Sequence, residues 1–178
     1  MLRKLSILLS IALLSSIAAC GPKSSTDSAT GTVATASPGT CPTSNTEAFA
    51  KTRFVADAAL AGGAFKRYIY TPAREGRLSK GAHGRVLALI KAAAAGAFVI
   101  DRLHAAEQAA QANPTLCKLI IAPAARFTSA ISALIGRARS GSINPADVTN
   151  GSTLLGDVRG AATQGGAAFT DNTNATIG

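Results

Sequence analysis

The sequence predicts an all-α protein: a small up-down bundle of three main helices with a weaker fourth, preceded by an export signal and a flexible tether. Three observations carry that prediction. The chain is rich in Ala, Leu and Ile, with no Trp, two Tyr and six Phe, a composition that favours helices. Beyond residue 45, apolar residues recur at alternating steps of three and four, the spacing of one buried helix face. Breaks containing Pro, Gly and Asn separate these stripes, where helices start and stop.

The first twenty residues read MLRKLSILLSIALLSSIAAC. Arg3 and Lys4 open the stretch, Leu5 to Leu14 form a short apolar run, and small residues precede Cys20. This is the pattern of a secretory signal peptide rather than of a stable membrane span. Ile17-Ala18-Ala19-Cys20 resembles the lipobox of a bacterial lipoprotein signal, with Ile17 where the usual box prefers Leu. The resemblance covers these residues alone. It implies that residues 1–19 are removed and that Cys20 is lipidated as the mature N-terminus. No Asp follows Cys20; Gly21 does. By analogy with Gram-negative sorting, that implies the outer membrane, with the protein facing the periplasm.

Residues 20–45 are then the lipidated cysteine and a Ser/Thr-rich tether. Gly21 to Asn45 holds Val33 as its only large apolar residue, too little to order itself. As a flexible coil it would span roughly 25–30 Å.

Residues 46–163 carry the helical domain. A first helix is expected over 47–70, opened by a capping box at Ser44-Asn45-Thr46-Glu47. Its face is Phe54, Ala58, Ala61, Phe65, Tyr68, Ile69 and Pro72. Gly62-Gly63 weakens its middle by about 1 kcal/mol per glycine. Residues 71–84 form a long connection. The second helix, 84–112, is assigned a stripe of Val86, Leu89, Ile90, Ala93, Ala97, Ile100 and Leu103, and its AAAAGA segment at 92–97 permits close approach of a neighbour. Asn113-Pro114 ends it and opens the third helix, 114–140, with Asn as N-cap and Pro at the first helical position. Its stripe is Leu116, Ile120, Phe127, Ile131, Leu134 and Ala138, and Pro123 inside should kink or split it. Asn144-Pro145 looks like another start that Asn150-Gly151 interrupts, so the fourth helix is placed at 152–163. Residues 164–178 are polar and Gly-rich and are expected to fray.

With Cys20 claimed by lipid, Cys41 and Cys117 remain as a pair in an exported protein, where disulfides persist. The topology supports their pairing. In an up-down bundle the first and third helices run the same way, so their starts, near Cys41 and at Cys117, share one end. A bridge there closes a long loop, worth roughly 4–5 kcal/mol in the chain-entropy model.

Charge supplies the best functional lead. Lys and Arg number 18 against 9 Asp and Glu, a net charge of +9 that falls to +7 when Arg3 and Lys4 leave. Such a balance suits anionic partners, and it also serves solubility. Arg74, Arg77 and Lys80 lie in the long connection beside Glu75 alone, and Arg137 and Arg139 close the third helix. Antiparallel topology brings these five cations to the end opposite the tether. Cations at a helix C-terminus also have a dipole rationale, and simple solvation of exposed loops is the competing reading.

Chemistry-bearing motifs are sparse. Asp101, His104 and Glu107 sit three apart on the second helix and could form a ladder, but no second Glu-x-x-His or paired Cys/His motif accompanies them. A solvated helix face is preferred over a metal site. No G-x-S-x-G or phosphate-binding loop occurs. The sequence therefore predicts no enzyme, no cofactor and no specific nucleic-acid partner. It predicts a lipid-anchored structural or interaction protein whose basic tip meets an anionic envelope polymer or protein. The alternative is a carrier holding an apolar ligand in an Ala-lined gap between helices.

Overall fold

A computed structural model describes residues 40–177. The signal segment, Cys20 and the tether to residue 39 lie outside the described residues, as does Gly178. Of the described residues 71% are helical and none is in a strand. α1 (Ala50–Phe65) leads through a π-helical turn (Lys66–Tyr70) into the short α2 (Thr71–Arg74). α3 (Arg85–Gln111), α4 (Pro114–Arg139) and α5 (Pro145–Gln164) follow. α3 packs against both α1 and α4, and α5 packs on α4 and returns to the π turn and α2. The expected all-α bundle is therefore present.

Local chemistry explains where each helix begins. α1 does not start at the expected capping box. The Thr46 N–H donates to Ala112 O at 3.0 Å, and Asn113 Nδ2 donates to Asn45 Oδ1 at 2.8 Å. Residues 45–46 are thus held against the α3–α4 turn and cannot enter a helix. Glu47 instead pairs with Arg53 at 3.2 Å. The chain turns at Phe49, whose φ is 58°, and α1 begins one residue later.

The π turn is a feature that stripe-counting missed. Its closing bond runs from Thr71 N–H to Lys66 O, five residues back. In a regular helix a proline ring strikes the carbonyl four residues before it. The widened turn sits immediately ahead of Pro72, relieving that conflict and letting the chain reach Arg74. Phe54, Ala58, Ala61, Phe65 and Ile69 are buried as expected, whereas Tyr68 and Pro72 are only half-buried.

α4 begins at Asn113-Pro114 as expected: Asn113 Oδ1 accepts from the N–H groups of Thr115 and Leu116 at 3.1 and 2.9 Å. It runs as one helix through Pro123. By length and composition it could cross a membrane, with a mean hydropathy of 1.6 in its most apolar window. Its large apolar residues Leu116, Ile120, Phe127, Ile131 and Leu134 are nevertheless buried in the bundle core.

α3 corrects the assigned stripe. Its buried face is Leu89, Ala92, Ala95, Gly96, Val99, Leu103 and Ala106, while Val86, Ile90 and Ala97 are exposed. Ala in nearly every turn blurs the period, and contact with two helices widens the buried arc. The close approach expected of the AAAAGA segment is met: a Cβ on Gly96 would lie 2.5 Å from Ile135 Cγ1.

The fourth helix is not weak. Asn144 and Asp147 form a reciprocal capping box, and α5 runs unbroken through Gly151. That glycine is required by its neighbour: a Cβ there would meet the Phe65 ring at 3.1 Å.

Residues 165–177 likewise pack where fraying was expected. Phe169 is buried edge-on to Phe54, ring centroids 6.1 Å apart. The Asn172 N–H donates to Ala59 O at 2.9 Å, and Arg159 pairs with Asp171 at 2.5 Å. The segment lies directly on Gly62-Gly63, where a Cβ on Gly63 would meet Asn172 O at 1.8 Å.

Gly63→Ala is expected to expel this segment, lowering stability by about 1–3 kcal/mol through overpacking and exposing residues 165–177 to protease. Gly160, in α5, has nothing near its Cβ position, so Gly160→Ala should raise stability by roughly 0.5–1 kcal/mol. Urea unfolding with limited proteolysis measures both.

Candidate functional site

The end of the bundle formed by the α2–α3 connection and the α4–α5 turn gathers the cations. Arg74 closes α2, and Arg77 and Lys80 stand exposed in the connection that follows. That connection turns at Gly76, Gly81 and Gly84, each with φ between 70° and 84°, and is pinned inward by the buried Leu78. Arg137 and Arg139 occupy the last turn of α4. Arg85 joins the two stretches: Nε donates to Leu78 O at 3.1 Å and one terminal nitrogen donates to Gly141 O at 2.5 Å. The five residues singled out from sequence thus lie at one end of the fold.

They are not equivalent. Arg77 forms an ion pair with Glu75, and Arg137 with Asp147 in the first turn of α5. Arg74, Lys80 and Arg139 have no ion pair among the described residues. Asp147 corrects the expectation that Glu75 is the only acid in this neighbourhood. The Asn144-x-x-Asp147 capping spacing was the signal that could have placed it there. Arg85 was also missed, because its role depends on the α4–α5 turn lying beside it. Next to these cations the first turns of α3 expose Val86, Leu87 and Ile90.

The opposite end holds the covalent tie. Cys41 and Cys117 are joined, with Cα atoms 5.6 Å apart and a sequence separation of 76. Lys51 Nζ donates to Gly165 O at 2.9 Å, so the start of α1 and the end of α5 also meet there.

The Asp101–His104–Glu107 ladder does not form. Asp101 turns to Arg102, which also reaches Asp57 on α1 at 3.0 Å. His104 Nδ1 stands 3.6 Å from Glu107 Oε2. Burial pushes the Glu107 carboxyl above its ordinary value, and the His104 imidazole and Thr128 hydroxyl beside it act in the opposite sense. No group of three or more potential metal-ligating side chains occurs among the described residues. A groove of about 540 Å³ between α4 and α5, lined by Ala125, Arg126, Ser129, Ala130, Asn150 and Leu154, is open to solvent.

Two outcomes follow from these contacts. Mutating Cys41 and Cys117 to Ala should cost roughly 4–5 kcal/mol in the chain-entropy model, measured by denaturant unfolding and matched by reducing the native chain. A carboxyl whose value is raised by folding favours the folded state fully below its unfolded value and loses that contribution as pH rises through the folded one. Glu107→Gln should therefore raise the melting temperature at pH 8 and leave it nearly unchanged at pH 4. A gain that is equal at both pH values would contradict the burial argument.

No family model, curated protein or solved structure matches the chain.

Proposed function

We propose that this chain is a membrane-anchored lipoprotein with a non-enzymatic interaction role in the cell envelope, acting through the basic end of its bundle. The anchor is Cys20, on the strength of the lipobox resemblance at Ile17-Ala18-Ala19-Cys20. Two or more acyl chains give stable anchoring where one does not. The absence of Asp after Cys20 favours the outer membrane, with the bundle facing the periplasm.

The observation that carries the interaction role is the convergence of Arg74, Lys80 and Arg139 at one end, joined through Arg85. The described chain begins at Thr40, at the Cys41–Cys117 end, and the basic end is the opposite end of the bundle. Unpaired cations on an exposed end attract an anionic envelope partner, with an affinity that falls as salt rises. The alternative, an apolar-ligand carrier, needs an enclosed Ala-lined gap between helices, and the groove between α4 and α5 is open to solvent. Along the Ala-rich face of α3, Gly96 is in close contact with Ile135; both observations favour the interaction reading.

Cys20→Ser should abolish acylation and lipoprotein-type cleavage before residue 20, so that the variant no longer fractionates with the outer membrane. A variant that is still cut there and stays bound would refute the anchor. Replacing Arg74, Lys80 and Arg139 with Gln should abolish retention on isolated anionic envelope polymers at low salt, where the unaltered chain is held. Retention with the same salt dependence in both proteins would remove the basic end from consideration.

A further inference from the structure

An apolar patch lies at the basic end, exposed among the described residues. Val86 is 72% exposed, Leu87 58% and Ile90 60%, although β-branched and leucine side chains of this size are ordinarily drawn into cores. The three occupy adjacent positions on the first two turns of α3. Lys91 is exposed one turn beyond Leu87, Arg74 closes α2, and Lys80 stands in the connection leading into α3. α3 has Gly84 at its N-cap position, with no side-chain cap and no acidic residue in its first turn, so the helix dipole adds positive potential where the patch begins.

We infer that this end docks on an anionic lipid surface, with Val86, Leu87 and Ile90 entering the acyl boundary and Arg74, Lys80, Lys91 and Arg139 meeting headgroup phosphates. The inference rests on the reading of the basic end as a contact surface and names its partner. A purely polymeric polyanion would leave the apolar triad in water. A second copy of the chain would cover the triad but bring like charges together around it. A lipid surface satisfies both halves of the patch at once, because apolar insertion and attraction to anionic headgroups act together at an interface.

The chain contains no Trp, so one introduced residue reports on its own surroundings. Leu87→Trp in the full chain, reconstituted in phosphatidylcholine vesicles, is mixed with added vesicles carrying brominated acyl chains. Added phosphatidylglycerol–phosphatidylcholine vesicles should shift Trp emission to the blue and quench most of it, and added phosphatidylcholine vesicles should not. Val86→Ser with Ile90→Ser, or Lys80→Gln with Lys91→Gln, in the same background should each sharply reduce that quenching. Gln108→Trp, exposed near the far end of α3, should stay unquenched. Absent quenching, with salt-dependent polymer retention intact, would overturn the lipid inference and leave the contact reading standing. Loss of both would overturn both. A blue shift without added vesicles that grows with protein concentration would show that a second copy covers the patch, and would also overturn it.

Discussion

Backbone-to-neighbour contact at small residues is the constraint on which this bundle depends. With few aromatic residues, the core cannot be filled by large side chains alone, so helices must approach closely at Ala and Gly. Gly96 admits Ile135 between α3 and α4, and Gly63 admits the backbone of Asn172. At these positions even one methylene exceeds the space, and close-packed interiors absorb such changes poorly. The larger side chains, Phe54, Phe65 and Phe127 among them, then fill the volumes that the small residues leave. Phe65 stands edge-on to Phe127 on α4, ring centroids 5.6 Å apart, and lies against Gly151 on α5. One ring thereby joins three helices.

The two ends of the bundle are secured differently. At one end the Cys41–Cys117 bridge, the Asn113 cap and the Thr46–Ala112 hydrogen bond lock the incoming chain to the α3–α4 turn. At the other end Arg85 ties two connections together through carbonyl oxygens. It holds the loops in place without neutralising any acid, so its charge adds to those around it. One end is covalently closed; the other is exposed, cationic and partly apolar.

Much of this was legible in the sequence. Helix period, the Asn113-Pro114 boundary and the parity of Cys41 and Cys117 depend on local spacing and on topology, and the fold follows them. The convergence of Arg74, Arg77 and Lys80 with Arg137 and Arg139 was also readable, because antiparallel helices leave only one end for both stretches. These inferences need direction and order, not the detail of packing.

What only the tertiary structure decided lies where a residue's role depends on a distant neighbour. Gly62-Gly63 and Gly151 read as helix weaknesses, since propensity prices a glycine by its own chain alone. In the fold they are the places where Asn172 and Phe65 fit. The polar segment after Gln164 read as frayed because nothing in it announces that Phe169 meets Phe54 or that Asp171 meets Arg159. The face of α3 was misphased because Ala is apolar on every side, and only the positions of α1 and α4 choose which side is buried. The same choice left Val86, Leu87 and Ile90 in the open. Sequence determined that this chain forms antiparallel helices with a basic end; packing between elements far apart in the chain decided which residues that end presents.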